Sequence, residues 1–318
     1  MTSVGIFLEH HADVDVFWEQ CDEPYGRHRG LELRGGDAQA DHILVVGLPL
    51  QPGPRVRLQP VDRVKGALRG DSGRRKLIAA WERLALPRER TSVLFYEPSP
   101  HVKDSYYEIA RRYAKRVYGT DERADEQVTL GSMWLVEGQL HELRAAPPPA
   151  KTVPLAVVSS GKNFLPGHGP RLSFFQKLRA AGVPLEAFGR GLPEPVGSRG
   201  SVRSKRGVLE PARFALALEN HVESPYYITE KLWDALLAWC LPFYYGHGAV
   251  DALIPSDAYI RLPDLGDAGV AVVQEALAAP ELWDQRREAM AEARRRVLGE
   301  HRMVEWIRRT IVGLPDAT

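Results

Sequence analysis

The densest chemistry in the chain lies between Phe214 and Trp233, in Phe-Ala-Leu-Ala-Leu-Glu-Asn-His-Val-Glu-Ser-Pro-Tyr-Tyr-Ile-Thr-Glu-Lys-Leu-Trp. The run Phe214 to Leu218 reads as a strand that delivers Glu219 and Asn220 to its carboxyl end. A short loop follows, and helical spacing begins near Thr229 with Glu230 and Lys231 in the first turn. A helix start presents free N–H groups and a partial positive charge, which together suit a phosphate. Lys231 would add a full charge there, and Glu230, which can only accept hydrogen bonds, suits the hydroxyls of a ribose or another sugar. The plainer alternative makes Thr229 a cap and Glu230 a dipole-matched residue of the first turn. A second group, His10, His11, Asp13 and Asp15, follows the first predicted strand in no recognised metal-ligand spacing. No metal is therefore expected.

The elements that must hold these residues alternate. Val4 to Leu8, His42 to Val46 and Ser92 to Tyr96 read as buried strands in the first half, and Arg74 to Leu86 carries Leu77, Ala80, Trp81 and Leu84 at helical spacing. In the second half Leu155 to Ser159, Leu185 to Phe188, Phe214 to Leu218 and Leu241 to Tyr245 read as strands. Arg171 to Ala181 and Thr229 to Cys240 read as helices, the second with Leu232, Ala235, Leu236 and Trp239 on one apolar face. Such alternation predicts parallel sheets covered on both faces. The proline-dense stretch from Ala145 to Pro154 cannot continue a helix or a central strand. It predicts a domain of residues 1–146, a linker at 147–154 and a second domain of residues 155–318. Two Rossmann-like domains facing a central cleft follow, with ligands at the carboxyl ends of the strands. Gly189 to Gly207, rich in Gly and Arg, reads as a long loop beside that cleft, and Glu281 to Leu314 as a long Arg-rich helix with a solvated, ion-paired face.

Other function classes drop out. The chain has 318 residues, with 42 Lys and Arg against 41 Asp and Glu, a balance that argues against a dedicated nucleic-acid binder. Cys21 and Cys240 are the only cysteines, which excludes a disulfide scaffold and fits a reducing cytosol. The longest apolar run, Ala235 to Tyr245, contains Pro242 and falls short of the ~18 residues that a membrane span needs. The start, Met-Thr-Ser-Val-Gly-Ile-Phe-Leu-Glu-His-His, lacks the basic and apolar regions of a signal peptide, so a cytoplasmic location is expected. The Arg-rich tail leaves peripheral contact with anionic lipid as a minor alternative. Walker, dinucleotide-fingerprint, zinc-ligand and nucleophile-elbow motifs are all missing from the sequence.

The segment from Phe214 to Trp233 resembles the alpha-1,3/1,4-fucosyltransferases, glycosyltransferase family ten. Their strand ending in Glu-Asn, their Tyr-[Ile/Val]-Thr-Glu-Lys-Leu helix start and their strand ending at Gly are matched here. The matching residues are Phe214 to Asn220, Tyr227 to Leu232 and Leu241 to Gly246. The family's next block is matched by Ile254-Pro-Ser-Asp-Ala-Tyr-Ile260, and upstream Val158-Ser-Ser, Arg171 and Phe188-Gly-Arg-Gly191 look like its earlier ones. The resemblance covers Val153 to about Leu265 well and the first half weakly. It departs where the family often has a small residue and this chain has Trp239, which the apolar face would place in the core.

The resemblance implies a GT-B fold that binds GDP-fucose in the second domain. It implies a single-displacement, inverting transfer of fucose to a hydroxyl of a glycan or glycoside, without an obligatory metal or other cofactor. Arg171 and Lys231 would clamp the diphosphate, and Glu219, Asn220, Tyr227 and Glu230 would contact the nucleotide and the sugar. The family's base-bearing stretch is matched by Phe95-Tyr-Glu-Pro-Ser-Pro-His101, which makes Glu97 the expected general base, with His10 or His11 as the alternative. Another GDP-sugar donor, or a non-catalytic nucleotide-sugar-binding role, are the competing readings. The acceptor is not legible in residues 1–150.

Overall fold

The computed structural model describes residues 1–8, 15–48, 71–97, 102–129, 131–163 and 166–315. The chain divides into two compact units, Met1–Gly131 with Met303–Thr318, and Ser132–Arg302.

The first unit holds a seven-stranded sheet: β1 (Thr2–Leu8), β2 (Arg27–His28), β3 (Leu31–Gly35), β4 (His42–Val46), β5 (Thr91–Phe95), β6 (Arg116–Gly119) and β7 (Glu126–Gln127). Their order across the sheet is β2-β3-β1-β4-β5-β6-β7. Every pairing is parallel except β2 with β3. The central strands are continuous runs of large and β-branched residues, as buried parallel strands must be. Ile43, Val45, Val93 and Phe95 pack with Leu77 and Trp81 of α2 (Asp71–Leu84) and with Tyr106, Tyr107 and Ile109 of α3 (Asp104–Tyr113). A short α1 (Asp15–Trp18) precedes β2.

The second unit contains β8 (Val153–Val158), β9 (Leu185–Phe188), β10 (Ala212–Leu218), β11 (Leu241–Tyr245) and β12 (Ile260–Arg261), in the order β12-β11-β10-β8-β9 and all parallel. Strand order reverses between β8 and β10, the switch point at which a parallel sheet leaves a crevice beyond its carboxyl ends. Its helices are α4 (Leu140–Ala145), α5 (His168–Ala180), α6 (Lys205–Leu209), α7 (Glu230–Leu237), α8 (Asp267–Ala278), α9 (Leu282–Gln285) and α10 (Arg287–Val297). The last α-helix among the described residues, α11 (Met303–Trp306), continues into a π-helical stretch at Ile307–Ile311 and belongs to the first unit.

Two expectations are corrected here. The division falls at residues 131 and 132, not in the 147–154 stretch, and residues 303–318 return to the first unit. The reason is burial: Trp134, Val136, Leu140 and Leu143 complete the second unit's core, so the prolines merely join α4 to β8 within that unit. The Arg-rich tail is also not one solvated helix. Arg295 and Arg296 do pair with Glu292 at 2.7 Å. Arg294, Arg302 and Arg308 are buried. The guanidinium of Arg294 donates to the carbonyls of Leu236 and Leu237 and, at 2.7 Å, of Leu143. It thereby satisfies carbonyls that the end of α7 leaves open, and burial lowers its pKa to about 10.

Trp239 packs against the core as expected, but it is half-buried and lies beyond the helix, not on its apolar face. The helix stops at Leu237, and Trp239 takes a left-handed conformation (φ +59°), the position after a helix that usually favours glycine. Its half-buried ring lies under the Arg294 guanidinium, 4.3 Å from centroid to Cζ, and its indole N–H donates to the Ala146 carbonyl at 3.1 Å.

Candidate functional site

The helix start at the carboxyl edge of the second sheet is built from one buried carboxylate outward. Glu219 follows β10 directly and its side chain is fully buried. Both its oxygens are occupied: Oε1 accepts from the Thr229 backbone N–H and Oε2 from the Thr229 hydroxyl, each at 2.7 Å. Thr229 then caps α7, its hydroxyl accepting from the Lys231 N–H at 3.4 Å. The Lys231 ammonium donates to that hydroxyl at 2.9 Å and lies 3.4 Å from carboxylate oxygens of both Glu219 and Glu230. Burial pushes the Glu219 pKa up, against the pull of Lys231 and the Thr229 hydrogen bonds. Glu219 was expected among the substrate contacts; its geometry makes it the anchor that fixes where α7 begins.

Glu230 stands differently. Burial alone would raise its pKa, but the charges of Lys231 and Lys205 and its own helix-start N–H outweigh that and hold it near 2. It is an ionised acceptor at neutral pH, with its side chain 27% exposed. Lys205, at the start of α6, pairs with Asp234 at 2.6 Å. Asp234 is one turn beyond Glu230, and its other oxygen accepts from the N–H groups of Leu135 and Val136 at 2.6 and 3.0 Å. Sequence reading missed this pair, although Asp234 lies at i+4 from Glu230 and Ser204 before Lys205 is a good cap.

Arg171 and Asn220 meet across the switch point. Arg171 sits in the first turn of α5, after β8, and is buried. One guanidinium nitrogen donates to the Asn220 side-chain oxygen and another to the Ser160 carbonyl at 3.1 Å, while its Nε–H has no partner among the described residues. Burial lowers its pKa. Tyr227 is buried beside the anchor, its ring edge-on to His221 at 6.1 Å. Arg171, Glu219, Asn220, Tyr227, Glu230 and Lys231 are thus gathered at one end of one sheet.

Two glycines let the neighbouring loops close on that end. A Cβ on Gly161 would fall 1.5 Å from the Gly191 carbonyl oxygen, and one on Gly189 (φ +140°) 1.5 Å from that of Ser159. Backbone bonds Ser159 N–H to Phe188 (2.9 Å) and Gly161 N–H to Arg190 (2.8 Å) extend the β8–β9 pairing past the strand ends.

In the first unit Glu97 lies two residues beyond β5, half-buried. The strand end before it is packed and bonded: Phe95 lies edge-on to Tyr107 at 4.8 Å, and Arg123 covers the Tyr107 ring at 4.8 Å while bonding Asp121 and Asp104. His10 and His11, with Asp13, lie outside the described residues. Among the described residues no group of three or more His, Cys, Asp or Glu is placed to hold a metal. No helix among them is long and apolar enough to cross a membrane.

Residues 149–273 match the family model described as glycosyltransferase family 10 (fucosyltransferase), C-terminal. That match bears out the family resemblance and the glycosyltransferase class read from the sequence. No curated protein matches the chain. Among solved structures, T4 phage BGT in complex with UDP and Mn2+ is similar at TM-score 0.57 and 11% identity, covering 98% of this chain and 100% of that one. An alpha-glucosyltransferase in complex with UDP and a 13-mer DNA is similar at TM-score 0.56 and 10% identity, covering 95% and 96%. An alpha1,3-fucosyltransferase gives TM-score 0.48 and 14% identity, covering 90% of this chain and 81% of that one. The first two likenesses concern the fold, and the GT-B class expected from the sequence is borne out.

Proposed function

We propose that this chain transfers fucose from GDP-fucose to a hydroxyl of a glycan or glycoside, with inversion at the sugar carbon. The observation that carries the reading is the α7 start: Lys231 held on a Glu219–Thr229 anchor, with Arg171 and Asn220 paired across the adjacent switch point. In this reading the diphosphate lies at that crevice. The acceptor oxygen bonds to the fucose C1 as the C1–O bond to the diphosphate breaks, and the acceptor proton passes to the Glu97 carboxylate.

Positive charge grows on the sugar ring and negative charge on the departing GDP. Arg171, Lys231 and the α7 N–H groups are fixed before the reaction, so they oppose the leaving charge without reorganising. Glu230, ionised throughout the neutral range, suits a sugar or ribose hydroxyl. Tyr227 would close the wall beside it.

Calorimetric titration with GDP, GDP-fucose and UDP, followed by product mass analysis with mixed acceptors, tests the reading. GDP-fucose binding and a fucosylated product are expected; equal affinity for UDP and GDP, or none for either, would overturn it.

A further inference from the structure

The loop that follows β9 is pinned by backbone hydrogen bonds and carries two exposed charged side chains. Gly189 and Gly191 flank Arg190 at φ +140° and +67°. The Arg190 carbonyl is tied to Gly161, next to the Ser160 carbonyl that holds Arg171. Further on, Glu194 to Val196 form a tight 3-10 turn in which Glu194 stands between Pro193 and Pro195, with Gly197 N–H donating to the Glu194 carbonyl at 2.9 Å. Val196 is fully buried and its carbonyl accepts from Arg179 at 3.0 Å. Gly189 N–H then bonds the Gly200 carbonyl, and the chain returns alongside β9.

From this pinned frame Arg190 and Glu194 are exposed, and neither side chain has a hydrogen-bond or ionic partner among the described residues. The neighbouring Arg199 contrasts with them, being taken up by Glu186 at 2.5 Å.

We propose that this loop reads guanine, Arg190 donating to O6 and N7 and Glu194 accepting from N1–H and the 2-amino group. The inference rests on the nucleotide reading above and deepens it. The arginine fork matches the paired acceptors O6 and N7, whereas adenine places an amino donor where O6 would be. A carboxylate only accepts, so it complements the two donors on guanine's other edge. The position fits: strands stand about 4.8 Å apart, so the end of β9 lies roughly 10 Å from that of β10. A nucleotide with its diphosphate at the β8–β10 crevice and its base turned toward β9 would reach this loop.

Calorimetric titration of the full chain and of Arg190→Ala, Arg190→Lys and Glu194→Ala with GDP, IDP and ADP provides the test, with circular dichroism confirming that each variant folds. The unaltered protein is expected to prefer GDP over ADP. Arg190→Ala should weaken GDP and IDP roughly tenfold or more with little change for ADP. Arg190→Lys should fall with it, since it keeps the charge and loses the fork. Glu194→Ala should erase the preference for GDP over IDP, which lacks the 2-amino group. A GDP-to-ADP ratio unchanged by these substitutions overturns the inference and leaves the nucleotide site standing. An equal loss for all three nucleotides overturns it too, by assigning Arg190 to the phosphates. No nucleotide binding by the unaltered protein removes both readings.

Discussion

At the scale of single residues, the two cations of the site are set apart from ordinary surface charge by what holds them. Arg171 is locked by Asn220 and Ser160, and Lys231 by Thr229 and two carboxylates. Arg171→Ala and Lys231→Ala should each lower kcat/KM on the order of 10²–10³-fold, the usual effect of removing one preorganised charge from a transition state. Near-unaltered turnover in both would place the phosphates elsewhere. Glu97→Gln keeps the size and hydrogen bonding of the side chain and removes its basicity. It should lower transfer about 10²–10⁴-fold and leave GDP-fucose binding intact in a calorimetric titration. Retained activity, with loss in His10→Ala or His11→Ala, would move the base to the first loop. Glu219→Ala has a different signature: it orphans the Thr229 N–H and hydroxyl, so it should cost about 1–3 kcal/mol in urea unfolding.

At the scale of elements, the site depends on loops approaching more closely than side chains permit. Gly189→Ala meets two obstacles at once, a positive φ and a carbonyl oxygen at 1.5 Å. The backbone strain alone costs about 1–3 kcal/mol, and relieving the clash must separate the β8 and β9 loops. We expect a lowered urea midpoint together with weakened GDP binding; full affinity in a destabilised variant would uncouple these loops from the nucleotide. The periodicity of the strands was legible because buried parallel strands are uninterrupted apolar runs: β4, β9 and β11 fall at their expected bounds. β3 and β6 were not, since Leu-Glu-Leu-Arg-Gly and Arg-Val-Tyr-Gly are short and mixed, and their place in the sheet comes from the strands beside them.

At the scale of the whole molecule, the last residues complete the first unit. Met303, Val304 and Ile307 are buried there, and Glu305 is held in a charged cluster. One Glu305 oxygen lies 3.0 Å from His28 Nε2 and 3.1 Å from Arg29; the other accepts from Arg308 at 2.7 Å. Asp22 faces the remaining ring nitrogen of His28 at 3.1 Å. Burial would raise the Glu305 pKa, but Arg308 and His28 outweigh it and the value is lowered. Because the folded value lies below the unfolded one, this contribution is complete above the ordinary carboxylate range. It is lost as pH falls through the folded value. Glu305→Ala should cost about 3–5 kcal/mol at neutral pH by leaving His28 and Arg308 buried without their carboxylate. Urea unfolding at neutral and acid pH checks this: the gap between variant and unaltered protein should shrink on acidification.

The sequence by itself determined the chemistry of the nucleotide end. Glu219, Asn220, Thr229, Glu230 and Lys231 are close in the chain, and a strand followed by a helix start brings them together whatever surrounds them. It determined the class of fold for the same reason, through apolar runs whose periods need no tertiary information. Only the tertiary structure decided what each charge does. Glu219 is an anchor because both its oxygens are taken within a buried strand end. Lys205 joins the site through Asp234 on another helix, and Arg294 is a helix cap because of where α10 packs. The unit boundary belongs to the same class. Proline density marked where regular structure stops, but Trp134, Val136, Leu140 and Leu143 decided the division by the core they fill. Burial is a property of what packs from elsewhere in the chain, and local sequence carries no record of it.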